Sequence, residues 1–289
     1  MLEITQLRFG YPFGKLLFDG LELSLQPGSL AGLLGLNGAG KTTLLKLICG
    51  LQRPDKGSCR LRGRDTSGRA LAVLQDLAFV SEDTDTPALT IDGYVAWYAP
   101  FYPRFDHAQF RANLEILSMH QLTKRKLSSC SLGEKRKCLL AFALATNTPL
   151  LLLDEPMNGL DIPAKTALRR LLAAAVHEER AIMVSTHQVR ELGLLLDPVI
   201  ILDGGKTLLN ASIADLSAKL SFSYDPTPLP PVPGSCLHAE PCPGGWQVVR
   251  ENHDGIESQP DLETLFAAVL ANPAVFRNCS RCRFRQRAD

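Results

Sequence analysis

The sequence predicts an α/β fold. A mostly parallel sheet is its centre, with an antiparallel β portion at the N-terminus, an inserted helical subdomain and a small α+β extension at the C-terminus. Three observations predict it. Short apolar runs alternate with helical stretches between residues 30 and 215, which places helices on both faces of a parallel sheet. One such run ends in a glycine-rich turn that opens a helix. From Asp83 to about Asn147 the texture turns helical and interrupts the alternation.

In chain order, Ile4, Leu7 and Phe9 alternate with polar partners and read as an edge strand over 3–9. Leu21–Leu25 alternates with Glu22 and Ser24 before the Pro27-Gly28 turn. Leu30–Leu34 is continuously apolar, as a strand covered on both faces requires. A helix follows from about Thr42 to Cys49 and closes at Gly50. Gly57–Leu61 and Leu77–Ser81 read as strands. Asp106 with Gln109 reads as a capping box before Phe110, Leu114 and Leu117. A second helix covers Leu132 to about Ala145, and Leu150–Leu153 is a central strand. Pro163 to about Glu178 is helical, Ala181–Ser185 a strand, and Leu192–Leu196 part of another helix. Val199–Leu202 turns through Asp203-Gly204-Gly205 into Lys206–Leu209.

The main domain is expected to span residues 1–215, with the helical subdomain at about 83–147, and the extension 216–289. Seven prolines between Pro226 and Pro243 predict a linker at the start of that extension. Trp246–Arg250 reads as a strand and Asp261–Leu270 as a capped helix. The terminal CSRCRFRQRAD reads as loosely ordered.

Composition narrows the class. Apolar residues make up 45% and charged residues 21%, which excludes a wholly disordered chain. A net charge of +1 argues against a protein built to coat nucleic acid. Cys138–Leu153 carries no charge but includes Thr146, Asn147, Thr148 and Pro149, and it falls short of the roughly 20 apolar residues of a membrane span. The start MLEITQLRFG lacks a basic flank and apolar core, so a cytosolic chain with reduced thiols is expected. Cys236, His238, Cys242, Cys279 and Cys282 could supply zinc ligands, against the plainer reading of free thiols.

The chemistry begins at Gly35-Leu36-Asn37-Gly38-Ala39-Gly40-Lys41-Thr42, a complete G-x-x-x-x-G-K-[ST] between a strand and a helix. Glycines let main-chain N–H groups wrap phosphate oxygens, and the helix start adds a positive dipole end. Lys41 would reach the β- and γ-phosphates of ATP, the Thr42 hydroxyl would ligate Mg²⁺, and Thr43 follows on the same helix. The core is therefore expected to be a P-loop NTPase core of the RecA-like kind. The apolar strand Leu150–Leu153 ends in Asp154-Glu155-Pro156. Beside the phosphate loop, Asp154 would join the Mg²⁺ shell and Glu155 would act as general base on the attacking water.

With these residues the chain resembles the ATP-binding-cassette (ABC) ATPases, over roughly residues 1–215. Cys130-Ser131-Leu132-Gly133-Glu134 occupies the place of the family signature Leu-Ser-Gly-Gly-Gln, keeping Ser131 and Gly133. Lys135-Arg136-Lys137 and the apolar helix after it match the family texture. Gly159-Leu160-Asp161 matches the D-loop, Ser185-Thr186-His187 the switch histidine, and Tyr11 the aromatic that stacks on adenine. Glu82 stands where the family usually has Gln and can still ligate Mg²⁺ or hold its water. The Phe101–Asp106 run looks like a bacterial exporter-type subgroup.

The resemblance implies a head-to-tail dimer of cassettes, homo- or heteromeric, in which Ser131, Gly133, Glu134 and Asp161 act on nucleotide bound by the other subunit. His187 would hold water and Glu155 in line. It further implies ATP hydrolysis powering a separate transmembrane permease, from the cytoplasmic face of the membrane, with no nucleic acid partner. Trp97, Tyr98, Phe101 and Tyr102 either form the core of the helical subdomain or line a groove for a short permease helix. The competing readings are a soluble ABC ATPase working on nucleic acid or ribosomes, and a regulatory nucleotide-binding module.

Overall fold

A computed structural model describes residues 1–83, 86–227, 236–256 and 258–276. The chain opens with β1 (Leu2–Gly10), β2 (Leu16–Leu25) and β3 (Leu30–Leu34), then runs into α1 (Lys41–Ile48). It returns through β4 (Lys56–Leu61), β5 (Arg64–Asp65), α2 (Leu71–Leu74) and β6 (Leu77–Val80). The helical block follows as α3 (Ile91–Tyr98), α4 (His107–Ile116) and α5 (Leu132–Ala145). Next come β7 (Leu150–Asp154), α6 (Ile162–Ala175), β8 (Ala181–Thr186), β9 (Val199–Asp203), β10 (Lys206–Ala211) and α7 (Ile213–Lys219). The chain then forms β11 (Leu220–Asp225), β12 (His238–Cys242), β13 (Gly245–Glu251), α8 (Leu262–Ala271) and α9 (Pro273–Phe276).

The central sheet has the order β10-β9-β3-β8-β7-β6, parallel except for β10. Every residue of β3, β7 and β8 is buried, because later helices on one face and α1 with the N-terminal sheet on the other leave neither side wet. The N-terminal antiparallel sheet has the order β2-β1-β4-β5. β1 is therefore an interior strand, paired with β2 and β4, and not the edge strand its pattern suggests. Alternation reports which face is buried and says nothing about whether an edge is paired.

Three local expectations change. The helix read at Leu192–Leu196 is a pair of 3-10 turns, Val189–Glu191 and Gly193–Leu195. Pro198 disfavours a helical residue before it, and the Asp197 amide instead donates to the Leu30 carbonyl at 2.8 Å. The helix read as far as Glu178 stops at Ala175, since Val176 is extended and His177–Arg180 closes a tight turn. Asp106 caps α4 by accepting from the amides of Ala108 and Gln109, but the box is not reciprocal. Gln109 turns away and accepts from Asn147 at 2.8 Å, while the Asp106 amide donates to the Ala145 carbonyl.

The expected proline-rich linker is also corrected in part. Residues 220–225 and 238–242 are strands of a sheet ordered β11-β13-β12. Pro241 sits in edge strand β12, where a missing N–H breaks no interior ladder. Pro228, Pro230, Pro231 and Pro233 lie outside the described residues, as do Cys279, Cys282 and the terminal arginines.

The helical block keeps its own aromatic centre. Phe142 meets Tyr94, Tyr102, Phe105 and Phe110 with ring centroids 4.9–6.4 Å apart. Tyr102 thus belongs to the core, whereas Trp97 and Phe101 are 69% and 61% exposed. The cavity between α3 and α4 is lined by other residues, among them Val95, His107, Phe110 and Arg111. Arg104 anchors the block, donating to Asp76 at 2.5 Å and to the Asn147 carbonyl at 3.2 Å.

Val249, Leu265, Ala268, Val269 and Phe276 join Leu192, Val199 and Leu209 in one continuous hydrophobic core. The segment after residue 215 is thus packed against the central sheet. Leu265 is fully buried, so Leu265→Ala is expected to destabilise by about 2–5 kcal/mol. In thermal unfolding the main transition of the whole chain should move down. A separate small transition that shifts alone would contradict the shared core.

Candidate nucleotide site

The glycine-rich turn joins the C-terminal end of β3 to α1. Gly40 adopts φ 97, and a Cβ there would stand 2.8 Å from the Phe18 ring, so only glycine fits the last step into the helix. No acidic residue occupies the first turn of α1, which leaves its free N–H groups and dipole unopposed. Lys41 is 7% exposed. Its Nζ donates to the Gly35 carbonyl at 2.8 Å and the Leu36 carbonyl at 3.3 Å, and it lies 3.8 Å from Glu155 Oε1. Burial lowers the Lys41 pKa, and the charges of Glu155, Asp154 and Glu82 oppose that shift.

A cleft of about 480 Å³ opens on this turn. Tyr11, Asn37, Gly38, Gly40, Lys41, Thr42, Thr43, Glu82 and Glu155 line it together, with Gly14, Lys15 and Leu17 from the β1–β2 hairpin. Tyr11 packs edge-on to Phe9, 5.1 Å between centroids, and its hydroxyl lies 3.0 Å from Thr43 Oγ1. Its ring is thereby tied to α1 at the mouth of the cleft.

The end of β7 supplies the carboxylates. Asp154 is 1% exposed; its Oδ1 accepts from the Ser185 hydroxyl, while its Oδ2 is buried without a hydrogen-bond partner. Glu155 adopts the left-handed φ 46, and its amide donates to the Ser185 carbonyl and Oγ, both at 3.1 Å. Such a backbone is strained for a residue with a Cβ and is held only by its surroundings. Glu155 Oε1 lies 2.8 Å from His187 Nδ1. Glu82 Oε1 accepts from Asn158 at 2.8 Å. The orphaned Asp154 oxygen, the Thr42 hydroxyl and the Glu82 carboxylate are hard oxygen donors, and this set fits a magnesium ion with nucleotide phosphate.

Ser131, Gly133, Glu134 and Asp161 stand apart from that cleft, at the starts of α5 and α6. Ser131 and Glu134 form a full capping box: the Ser131 amide donates to Glu134 Oε2 at 2.7 Å, and the Glu134 amide donates to Ser131 Oγ at 3.2 Å. The Ser131 amide holds the Glu134 carboxyl below the usual carboxylate range, and Arg125 lies 3.2 Å from its Oε1. The negative charge that Glu134 brings to the signature is thus engaged within its own chain. A Cβ on Gly133 would stand 2.8 Å from the Gly159 carbonyl, so glycine lets the signature turn pack on the D-loop. Asp161 caps α6 by accepting from the Ala164 amide at 2.8 Å. Leu132 and Ile162 in these segments are 59% and 80% exposed, and Leu36 in the glycine-rich turn is 52% exposed.

Sequence reasoning did not single out Gly14, Lys15, Asn158 or the role of Arg136. The hairpin residues carry no motif, and Arg136 lies in a basic run that gives no sign of burial. It is 3% exposed and reaches the main chain of both Glu82 and Glu155. Among the described residues no group of three His, Cys, Asp or Glu side chains could hold a metal ion, so Cys236, His238 and Cys242 form no zinc site by themselves.

A sequence profile of the family described as ABC transporter matches residues 18–158. Nod factor export ATP-binding protein I of Burkholderia lata is 32% identical over 208 residues, 71% of this chain and 67% of that protein. Its counterpart in Burkholderia pseudomallei strain K96243 is 32% identical over 225 residues, covering 74% of each. ABC transporter ATP-binding protein NatA of Bacillus subtilis is 29% identical over 68% of this chain and 82% of its own length. Among solved structures, an ATP-binding subunit of an ABC transporter superposes with TM-score 0.69 at 25% identity, over 75% of this chain and 91% of the other. A dimeric ATP-binding cassette in a post-hydrolysis state with ADP and Pi shares the fold, with TM-score 0.62 at 22% identity over 73% of this chain and 98% of the other. With the phosphate loop, the paired carboxylates and the capped signature helix in place, the chain belongs to the ABC transporter family as an ATP-binding-cassette ATPase.

Proposed function

We propose that this ATPase works as a head-to-tail pair of cassettes and powers transport through a separate membrane permease, from the cytoplasmic face of the membrane. The observation that carries the catalytic part is the position of Glu155: its carboxylate lies 2.8 Å from His187 Nδ1 and 3.8 Å from Lys41 Nζ, on the wall of the phosphate-loop cleft. Among the described residues no helix is long and apolar enough to cross a membrane, and this reading assigns the passage to the permease. The relatives named as ATP-binding proteins of transporters support that assignment.

In this reading Tyr11 stacks on adenine, and the amides of residues 35–43 with Lys41 hold the phosphates. Thr42, Asp154 and Glu82 would hold magnesium, which when bound screens phosphate charge and polarises the γ-phosphoryl group. Glu155 accepts a proton from the attacking water as the water oxygen bonds to the γ-phosphorus. The bond from that phosphorus to the bridging oxygen breaks, and ADP and phosphate result. His187 keeps the Glu155 carboxylate aimed at that water. Ser131 and the Gly133 amide of the second cassette complete the phosphate cage, and Asp161 lies between the two sites. ATP binding then closes the pair, and product release reopens it.

Three variants test these roles. Glu155→Gln should lose at least about 100-fold in turnover, within the range of a positioned base, and accumulate as an ATP-bound dimer on size exclusion. Full ATPase activity in that variant would remove Glu155 as base. Lys41→Ala should abolish ATP binding in a calorimetric titration, and unchanged affinity would contradict the phosphate-loop assignment. Gly133→Ala, introduced beside Glu155→Gln, should prevent the dimer while the single chain still binds ATP with its original affinity. A dimer of normal stability would show that the signature turn tolerates a side chain against the D-loop. A polytopic protein recovered with the tagged chain from membranes would support the permease reading, and its absence across solubilisation conditions would count against it.

A further inference from the structure

Arg136 is a buried cation in the middle of the catalytic machinery. It lies on α5, five residues after Ser131, and is 3% exposed. Its Nη1 donates to the Glu155 carbonyl at 2.6 Å, and its Nη2 donates to the Glu82 carbonyl. Its Nε is buried and makes no hydrogen bond. Burial lowers its pKa, and the charges of Glu82, Asp154 and Glu155 oppose that shift.

The choice of acceptors is informative. A guanidinium serving as a counterion would take a carboxylate, its best partner. This one has the carboxylates of Glu82, Asp83, Asp154 and Glu155 nearby and spends its two terminal nitrogens on main-chain carbonyls. The side chains of Glu82 and Glu155 line the cleft with partners of their own, Asn158 for Glu82 and His187 for Glu155, and the fork fixes the backbone from which each departs. Glu155 needs such support because its left-handed backbone persists only where the surroundings enforce it.

The helix carrying the fork is held at its far end as well. Arg180, 1% exposed, donates to the Leu144 carbonyl at 3.1 Å and the Ala143 carbonyl at 3.4 Å, satisfying the C-terminal end of α5. The N-terminal end of α5 carries Ser131 and Gly133. A displacement of that end is therefore passed, through a packed helix and two hydrogen bonds, to the main chain of Glu82 and Glu155.

We propose that Arg136 is a positioning residue: it fastens Glu155 and Glu82 to the helix that meets the neighbouring cassette's nucleotide, so that hydrolysis follows engagement of that helix. The inference rests on Glu155 being the base. Lysine keeps the charge but lacks the planar fork, so Arg136→Lys separates geometry from electrostatics.

The test uses the full chain with Mg-ATP. Arg136→Lys is expected to bind ATP within about twofold of the original affinity and to lose roughly 10–100-fold in kcat with KM little changed, the scale of a misplacement of about 1 Å. Arg136→Met should lose more, and adding Glu82→Gln should recover part of the loss in Arg136→Met but none in Arg136→Lys. Arg136→Gln, a planar donor for one carbonyl, is the second variant should lysine prevent folding, with a loss of about 5–50-fold at unchanged ATP affinity. Wild-type kcat in either folded variant overturns the inference, and so does a loss of ATP affinity in step with kcat. Glu155→Gln measured alongside separates the two readings. If that variant hydrolyses ATP normally, the base assignment fails; if it is inactive while Arg136→Lys is fully active, only the positioning role fails.

Discussion

One juxtaposition governs the rest of the molecule: a buried ammonium, Lys41, faces the carboxylate of Glu155 at 3.8 Å across the floor of the cleft. Neither group tolerates burial alone. Lys41 is placed by a helix that begins immediately after a left-handed glycine, and Glu155 by a strand that ends in a left-handed turn. The two follow strands β3 and β7, which flank β8 in the same sheet, and β8 with the residue after it supplies Ser185 and His187 beside them. Parallel pairing of β3, β8 and β7 brings these three strand ends to one edge of the sheet, where ligands of open α/β folds bind. The complete burial of these strands is what fixes that edge in space.

The signature helix adds a second constraint. Its start presents Ser131 and Gly133 away from the chain's own cleft, its middle is tied to Glu82 and Glu155 by Arg136, and its end is closed by Arg180. Burial pushes the Arg180 pKa down to about 10, yet the cation sits where a helix C-terminus favours positive charge. The departures from the usual signature have a local explanation at Glu134, which serves as the acidic half of a capping box and meets Arg125. Leu132 is exposed next to it, on the face that the proposed partner cassette would cover.

Much of this was legible from the residues, and the misses share a cause. Leu30–Leu34 and Leu150–Leu153 announce themselves because strands covered on both faces need unbroken apolar runs. The phosphate loop announces itself because its glycines are dictated by backbone geometry. The pattern of β1 does not reveal its interior place because pairing on its second side depends on β4, more than forty residues away in the chain. The C-terminal segment read as a linker because prolines dominate its composition, and an edge strand can carry one of them. Arg136 and the hairpin residues Gly14 and Lys15 acquire their places only through tertiary packing, which no local pattern encodes.

The proposed composite pocket is tested most directly by mixing two inactive chains. Lys41→Ala removes the phosphate loop, and Ser131→Arg blocks the signature end. A mixed dimer holds one site damaged twice and one site fully intact. Recovery of a substantial part of ATPase activity on mixing is expected if nucleotide is shared between two chains. Activity no greater than the sum of the separate variants, with mixed dimers present, would contradict it.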